Sequence, residues 1–141
     1  MALTAGQVEQ LILGGIPAAA DSGLRVEQVG DGGARMRQPF RSNLIRPGGT
    51  LSGPTIMGLA DAAMYAAILG RLGRLEMAVT QNLNINFLAR PEPCDLIAEA
   101  KIIRLGRRSA VLEVRLYSDG NDEMVAHVTG IYALPQTQGS K

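Results

Sequence analysis

A chain of 141 residues has the length of one domain, and 46% hydrophobic against 19% charged residues is the balance of a folded globular protein, not a disordered one. Its 14 basic and 13 acidic residues leave a net charge of +1, and 0 Trp, 3 Tyr and 2 Phe offer little to stack on bases, which argues against nucleic acid and anionic membrane as partners. One cysteine, Cys94, and one histidine, His127, make neither an intrachain disulfide nor a zinc site of the usual spacing, so no metal or other cofactor is expected.

Thr4-Ala5-Gly6-Gln7 fits a capping box, and Val8, Leu11 and Ile12 follow at helical spacing until Gly14, Gly15 and Pro17 stop the pattern. After a polar connection, Leu24–Val29 and Ala34–Phe40 flank the turn tripeptide Asp31-Gly32-Gly33 and read as a hairpin. Arg41–Leu51, with Ser42, Asn43, Pro47, Gly48 and Gly49, is a loop. The segment Thr55–Leu69 predicts a helix with Pro54 as its first helical residue, ended by Gly70 and Gly73. It is apolar nearly all round and therefore a core helix. Asp61 at its centre keeps it from reading as a membrane span, and no basic-then-apolar leader opens the chain, so a cytoplasmic protein is expected.

Four strands are predicted next. Ala78–Leu88 sets Val79, Leu83, Ile85 and Phe87 on a core face against Thr80, Asn82, Asn84 and Asn86 on a wet one. Asp95–Leu105 and Ser109–Tyr117 alternate as half-buried strands, and Asp119-Gly120-Asn121 turns into Glu123–Leu134. Pro135–Lys141 is a polar tail. The order predicts an α+β fold, one largely antiparallel sheet wrapped around one hydrophobic helix, with short links making neighbours antiparallel. An exposed sheet edge invites a second copy, and a homodimer is expected.

Asp61 is the leading candidate for chemistry. A carboxylate in an apolar helix must be compensated, yet Met57, Gly58, Met64 and Tyr65 at helical spacing supply no cation. It is either a structural Asp bonded to a loop backbone or a carboxylate at a cleft, acting as general base or nucleophile. Ser52-Gly53-Pro54 opens the helix, where free N–H groups can polarise a carbonyl, or where Ser52 simply caps. Gly53 and Asp61 are roughly 12 Å apart along the helix axis, so a symmetric dimer would have to bring them together from different copies. A nucleophilic triad would have to run through His127, which lies in an alternating strand with no nucleophile elbow to serve.

Asn43–Asp61, reading NLIRPGGTLSGPTIMGLAD, together with AVTQNLNINFLARP over Ala78–Pro91 and RLGRRSAV over Arg104–Val111, resembles the hotdog-fold acyl-CoA thioesterases of the phenylacetate-degradation, PaaI-like type. Members show an Asn, a His-Gly-Gly that opens the central helix, an acidic residue nine positions after the His, and a Ser or Thr early in the next strand. Asp61 matches the acidic position, Gly53 the first glycine, Asn43 approximately the asparagine and Thr80 the hydroxyl. Ser52 stands where the family has histidine and Pro54 replaces the second glycine; both are expected at the substrate, Ser52 either hydrogen-bonding it or simply capping the helix.

The resemblance implies a hotdog homodimer, or a dimer of dimers, that hydrolyses acyl-CoA thioesters. Asp61 would activate water or attack the thioester, and the Gly53 amide would hold the carbonyl oxygen. Asn43 would orient carbonyl or water, and Thr80 would bond the water. It also implies that Arg90, Arg107 and Arg108 meet the coenzyme A phosphates, with solvated surface arginines the plainer reading. Coenzyme A would enter only as part of the substrate. A non-catalytic acyl-CoA or small-ligand binder and an enoyl-CoA hydratase or dehydratase, which would need a histidine beside the carboxylate, are the alternatives.

Overall fold

The structure, a computed structural model, describes residues 2–136. Of the polar tail expected from Pro135, residues 137–141 lie outside that range.

The Thr4 hydroxyl accepts the Gln7 N–H at 3.2 Å and the Gln7 side chain accepts the Thr4 N–H at 2.9 Å. This box starts helix α1, Ala5–Gly15, which buries Val8 and Ile12. Pro17 does not end the helical region, as expected, but begins a second helix, α2, Pro17–Ser22. Ile16 in extended conformation separates the two, and a proline at the first helical position gives up an N–H that would have had no partner.

Strands β1, Arg25–Gly30, and β2, Gly33–Gln38, form the predicted hairpin. Its turn is the pair Asp31-Gly32, with φ of 53° and 74°, the left-handed pair that matches the twist of two-residue hairpins. A 3₁₀ turn, Ser42–Leu44, and a bridge between Ile45 and Leu51 lead to helix α3, Gly53–Leu72. The Ser52 side chain accepts the Thr55 N–H at 3.4 Å and caps the helix. Gly70 does not terminate α3. A Cβ at Gly70 would lie 2.9 Å from the Val29 Cβ, so the glycine is where the helix and β1 touch, and Gly73, at φ 92°, closes the helix.

Strands β3, Val79–Phe87, β4, Leu96–Leu105, β5, Ser109–Ser118, and β6, Met124–Ala133, complete one antiparallel sheet in the order β1-β2-β4-β5-β6-β3. Met36, Leu96, Leu112, Leu116 and Val128 from its inner face bury against Ile56, Leu59, Ile68 and Leu69 of α3. Each such side chain contributes about 1.5–3 kcal/mol. By length and composition α3 could cross a membrane, but it is packed inside the sheet as a core helix.

Two expectations for the strands are corrected. Chain neighbours pair across β4, β5 and β6, but β3 pairs with β6 alone and forms an edge of the sheet, so its core face, on which Leu83 and Ile85 pack, is only partly covered. Val79 is 57% and Phe87 52% exposed, and Leu83 and Ile85 are half-buried. The second correction is a bulge. The register jumps between Thr80 and Asn82, leaving Gln81 unpaired, so Thr80 lies opposite Tyr132 while Leu83 lies opposite Gly130 and Ile85 opposite Val128. One extra residue reverses the alternation, and Thr80 joins the helix-facing side that simple period-2 reading assigned to Leu83 and Ile85.

Candidate active site

Asp61 sits halfway along α3, half-buried, and its Oδ1 takes two hydroxyl donors. Thr80 donates at 2.8 Å and Tyr132 at 2.6 Å; the Tyr132 hydroxyl also lies 3.1 Å from the Asp61 carbonyl oxygen. No cation reaches the carboxylate among the described residues, and no hydrogen bond there engages Oδ2. The donors come from different strands. The β3 bulge turns Thr80 inward, and the alternation of β6 puts Tyr132 in the same inward row as Val128 and Gly130.

Tyr132 was missed in the sequence, although a tyrosine on a core-facing strand position must find a partner for its hydroxyl. It is 4% exposed, and its ring stacks on Tyr65 with centroids 6.2 Å apart. Burial, then the adjacent Asp61 charge, pushes the Tyr132 phenol far above its ordinary range, so it remains a donor at every working pH.

Asp61 borders two cavities. One, of about 400 Å³, lies between α2 and α3 and is walled by Ile16, Leu24, Leu59 and Gln38, with Tyr65 and Tyr132 beside the carboxylate. The other, of about 540 Å³, opens between α1 and the start of β3 and includes Thr80 and Tyr132. The carboxylate is therefore neither sealed nor saturated.

Gly53 opens into a different cavity, of about 690 Å³, walled by Arg46, Ile56, Phe87 and Arg90 among others. As the first helical residue it carries one of the N–H groups without an intrahelical acceptor. The end of the Phe87 ring lies 3.6 Å from where a Gly53 Cβ would be. Arg90 donates to the Gly48 carbonyl at 2.8 Å and ties the loop before α3 to the segment after β3. Within one chain, Asp61 and Gly53 thus face separate spaces, as their eight-residue spacing requires.

The remaining candidates are spread out. Ser52 is occupied as the cap, its hydroxyl 3.0 Å from that of Thr55, and Pro54 is exposed at the second helical position. Asn43 is exposed in the 3₁₀ turn and borders none of these three cavities; its neighbour Leu44 reaches the Asp61 cavity and Arg46 the Gly53 cavity. Arg107 and Arg108 occupy the exposed β4–β5 turn, away from all three, where their carbonyls accept from Gln136 and from the Leu134 N–H. His127 lies on the outer face of the sheet, its Nε2 2.7 Å from Glu113 Oε2, with the sheet between it and Asp61. That bond holds the Glu113 carboxyl below its usual range. Among the described residues no three His, Cys, Asp or Glu side chains converge as a metal site.

Comparison with known proteins bears on the family and the fold. The family model described as Thioesterase superfamily matches residues 48–125. A protein of Saccharolobus solfataricus named as a "putative esterase" is 29% identical over 119 residues, 84% of this chain and 78% of that one. A Silicibacter structure described as a "putative thioesterase" superimposes with a TM-score of 0.83 at 32% identity, covering 93% of this chain and 91% of the other. A mutant of the phenylacetic acid degradation protein PaaI from Thermus thermophilus superimposes with a TM-score of 0.72 at 26% identity, over 83% of this chain and 97% of the other.

Proposed function

The chain belongs to the thioesterase superfamily, with the hotdog fold of its PaaI-like members, and from that premise we propose that it hydrolyses acyl-CoA thioesters at sites shared between two copies. The observation that carries the reading is the Asp61 carboxylate, held through Oδ1 alone by two hydroxyls and open to two cavities.

The β3 edge supports a second copy as the source of the other half of the site. Thr80, at its beginning, touches Asp61, and Phe87, at its end, lies beside Gly53. An antiparallel two-fold pairing of β3 with itself sets the Phe87 end of one copy beside the Thr80 end of the other. Such a pairing brings each Gly53 cavity next to the other copy's Asp61 and covers Val79 and Phe87, both half-exposed in the single chain.

In this arrangement Oδ2 of Asp61 takes a proton from a water molecule as the water oxygen bonds to the thioester carbon. The carbonyl oxygen gains negative charge and meets the Gly53 N–H of the second copy, at the positive end of α3. The C–S bond then breaks, the carbonyl re-forms, and the coenzyme A thiolate takes up the proton. Backbone donors of this kind supply about 3–4 kcal/mol and a placed carboxylate about 10²–10⁴ in rate. Arg46 and Arg90, at the mouth of the Gly53 cavity, are the cations best placed for the coenzyme A phosphates. Arg107 and Arg108 would have to reach them from a turn outside it.

An enoyl-CoA hydratase is disfavoured by His127, which lies across the sheet from Asp61. Thiol release from a panel of acyl-CoAs tests the proposal: turnover that disappears in Asp61→Asn supports it. Acyl-CoA binding with no turnover in the wild-type protein would replace it with a binding role.

A further inference from the structure

Tyr65 donates nothing to Asp61, yet it touches a group that does. It stands four residues after Asp61, one turn farther along the same side of α3, and borders both of the cavities that the carboxylate borders. Its ring lies nearly parallel to that of Tyr132, at 16° with centroids 6.2 Å apart, within the range of offset stacking. At its other end the Tyr65 hydroxyl donates to the Glu76 carbonyl at 2.8 Å, in the turn between α3 and β3. Burial, then the Glu76 charge, raises the Tyr65 phenol above its ordinary value, so the hydroxyl keeps the proton that it donates.

Pairing with Thr80 on one side and Ala110 on the other fixes the backbone of Tyr132 within the sheet but not the tilt of its ring. The hydroxyl is at the far end of that ring from the backbone, so a small tilt becomes a large displacement of the donor. About 1 Å more would stretch the 2.6 Å bond to Asp61 past hydrogen-bonding range. Tyr65 stands against one face of the Tyr132 ring and is itself held at both ends, by α3 and by the Glu76 carbonyl. Because it shares a helix with Asp61, it sets the donor's direction relative to the group that receives it.

We propose that Tyr65 is a positioning residue for hydrolysis: its ring aims the Tyr132 hydroxyl at Asp61, and its bond to the Glu76 carbonyl keeps that ring in place. The proposal rests on the acyl-CoA hydrolase reading and adds a residue that acts on the reaction only through Tyr132.

The test is a double-mutant cycle in steady-state thiol release, using the acyl-CoA that the wild-type protein turns over fastest, with melting temperatures measured alongside. Tyr65→Leu is expected to lower kcat about tenfold and leave KM within about twofold, because Oδ1 is left with Thr80 alone, the loss of one hydrogen bond. In the Tyr132→Phe background the same substitution is expected to lower kcat by less than about twofold, there being no hydroxyl left to aim. Tyr65→Phe keeps the ring on Tyr132 and is expected to recover most of the loss. Tyr65→Met replaces the leucine variant if that does not fold. Equal falls in kcat in both backgrounds overturn the positioning role and leave the hydrolase standing. So do a fall confined to KM, a lowered melting temperature with kcat unchanged, and a phenylalanine variant no faster than the leucine one. No thiol release from the wild-type protein with any acyl-CoA removes the hydrolase reading, and the role of Tyr65 with it.

Discussion

Both hydroxyls that hold Asp61 converge on Oδ1, an arrangement that fixes the carboxylate plane and leaves its second oxygen to a reactant. Asp61→Asn tests the chemistry without disturbing the frame, because the amide oxygen still accepts from Thr80 and Tyr132 while the other position loses its proton acceptor. Thiol release is expected to fall by about 10²–10⁴ with the melting temperature nearly unchanged. Tyr132→Phe removes one of the two anchors and leaves the ring stacked on Tyr65. A kcat about tenfold lower, with little change in KM, is the expected steady-state result, alongside a stability loss of about 1 kcal/mol in denaturant unfolding. An equal fall in kcat/KM through KM alone would make Tyr132 a wall of the cavity and not a support of the carboxylate. Asp61 was legible in the sequence because it is a lone charge within an apolar segment. Thr80 was legible only by resemblance, since its position in the strand pattern pointed it to the wrong face.

Among the secondary elements, α3 and the hairpin at its side are coupled by a contact that has no room for a methyl group. Gly70→Ala places a Cβ 2.9 Å from that of Val29. Overpacking of about 1–3 kcal/mol then competes with a helix-propensity gain of about 1 kcal/mol. A net loss of roughly 1 kcal/mol in urea unfolding is expected, and a gain would show that β1 yields. On the other side of the hairpin, Arg37 of β2 bridges Glu27 at 2.6 Å, Asp95 at 3.0 Å and Asp119 at 2.8 Å. Its hydrogen bonds are the leading reason that Glu27 and Asp119 titrate below their ordinary values. A carboxyl whose folded pKa is depressed contributes stability above its unfolded pKa and loses it as pH falls through the folded one. Thermal melts between about pH 6 and pH 3 should therefore show a steeper decline for the wild-type protein than for Arg37→Met, the wild-type advantage present near pH 6 closing below about pH 4 and being smaller in salt. Parallel declines would mean that these pairs are too solvated to matter.

At the scale of the whole molecule, the separation of Gly53 from Asp61 makes a prediction about subunits. A Gly53→Val variant and an Asp61→Asn variant are each expected to be nearly inactive. After mixing and subunit exchange, heterodimers hold one intact pair, Gly53 from one copy and Asp61 from the other, and about a quarter of wild-type activity should return. Mixtures that stay inactive while exchange is verified by mass would place both groups in one chain's site. By itself the sequence determined the order of elements, the buried helix, the antiparallel hairpins and the one carboxylate that must be compensated, because each is set by local periodicity, turn chemistry or a charge among apolar neighbours. The second helix at Pro17 escaped it, since a proline can either stop a helix or begin one. Only the tertiary structure decided that β3 is an edge, that the bulge at Gln81 turns Thr80 toward Asp61, that Tyr132 borders the same cavity as Asp61, and that Gly53 faces another. Those facts depend on strand order and on a one-residue slip in register, and pairing partners distant along the chain leave no periodic trace in it.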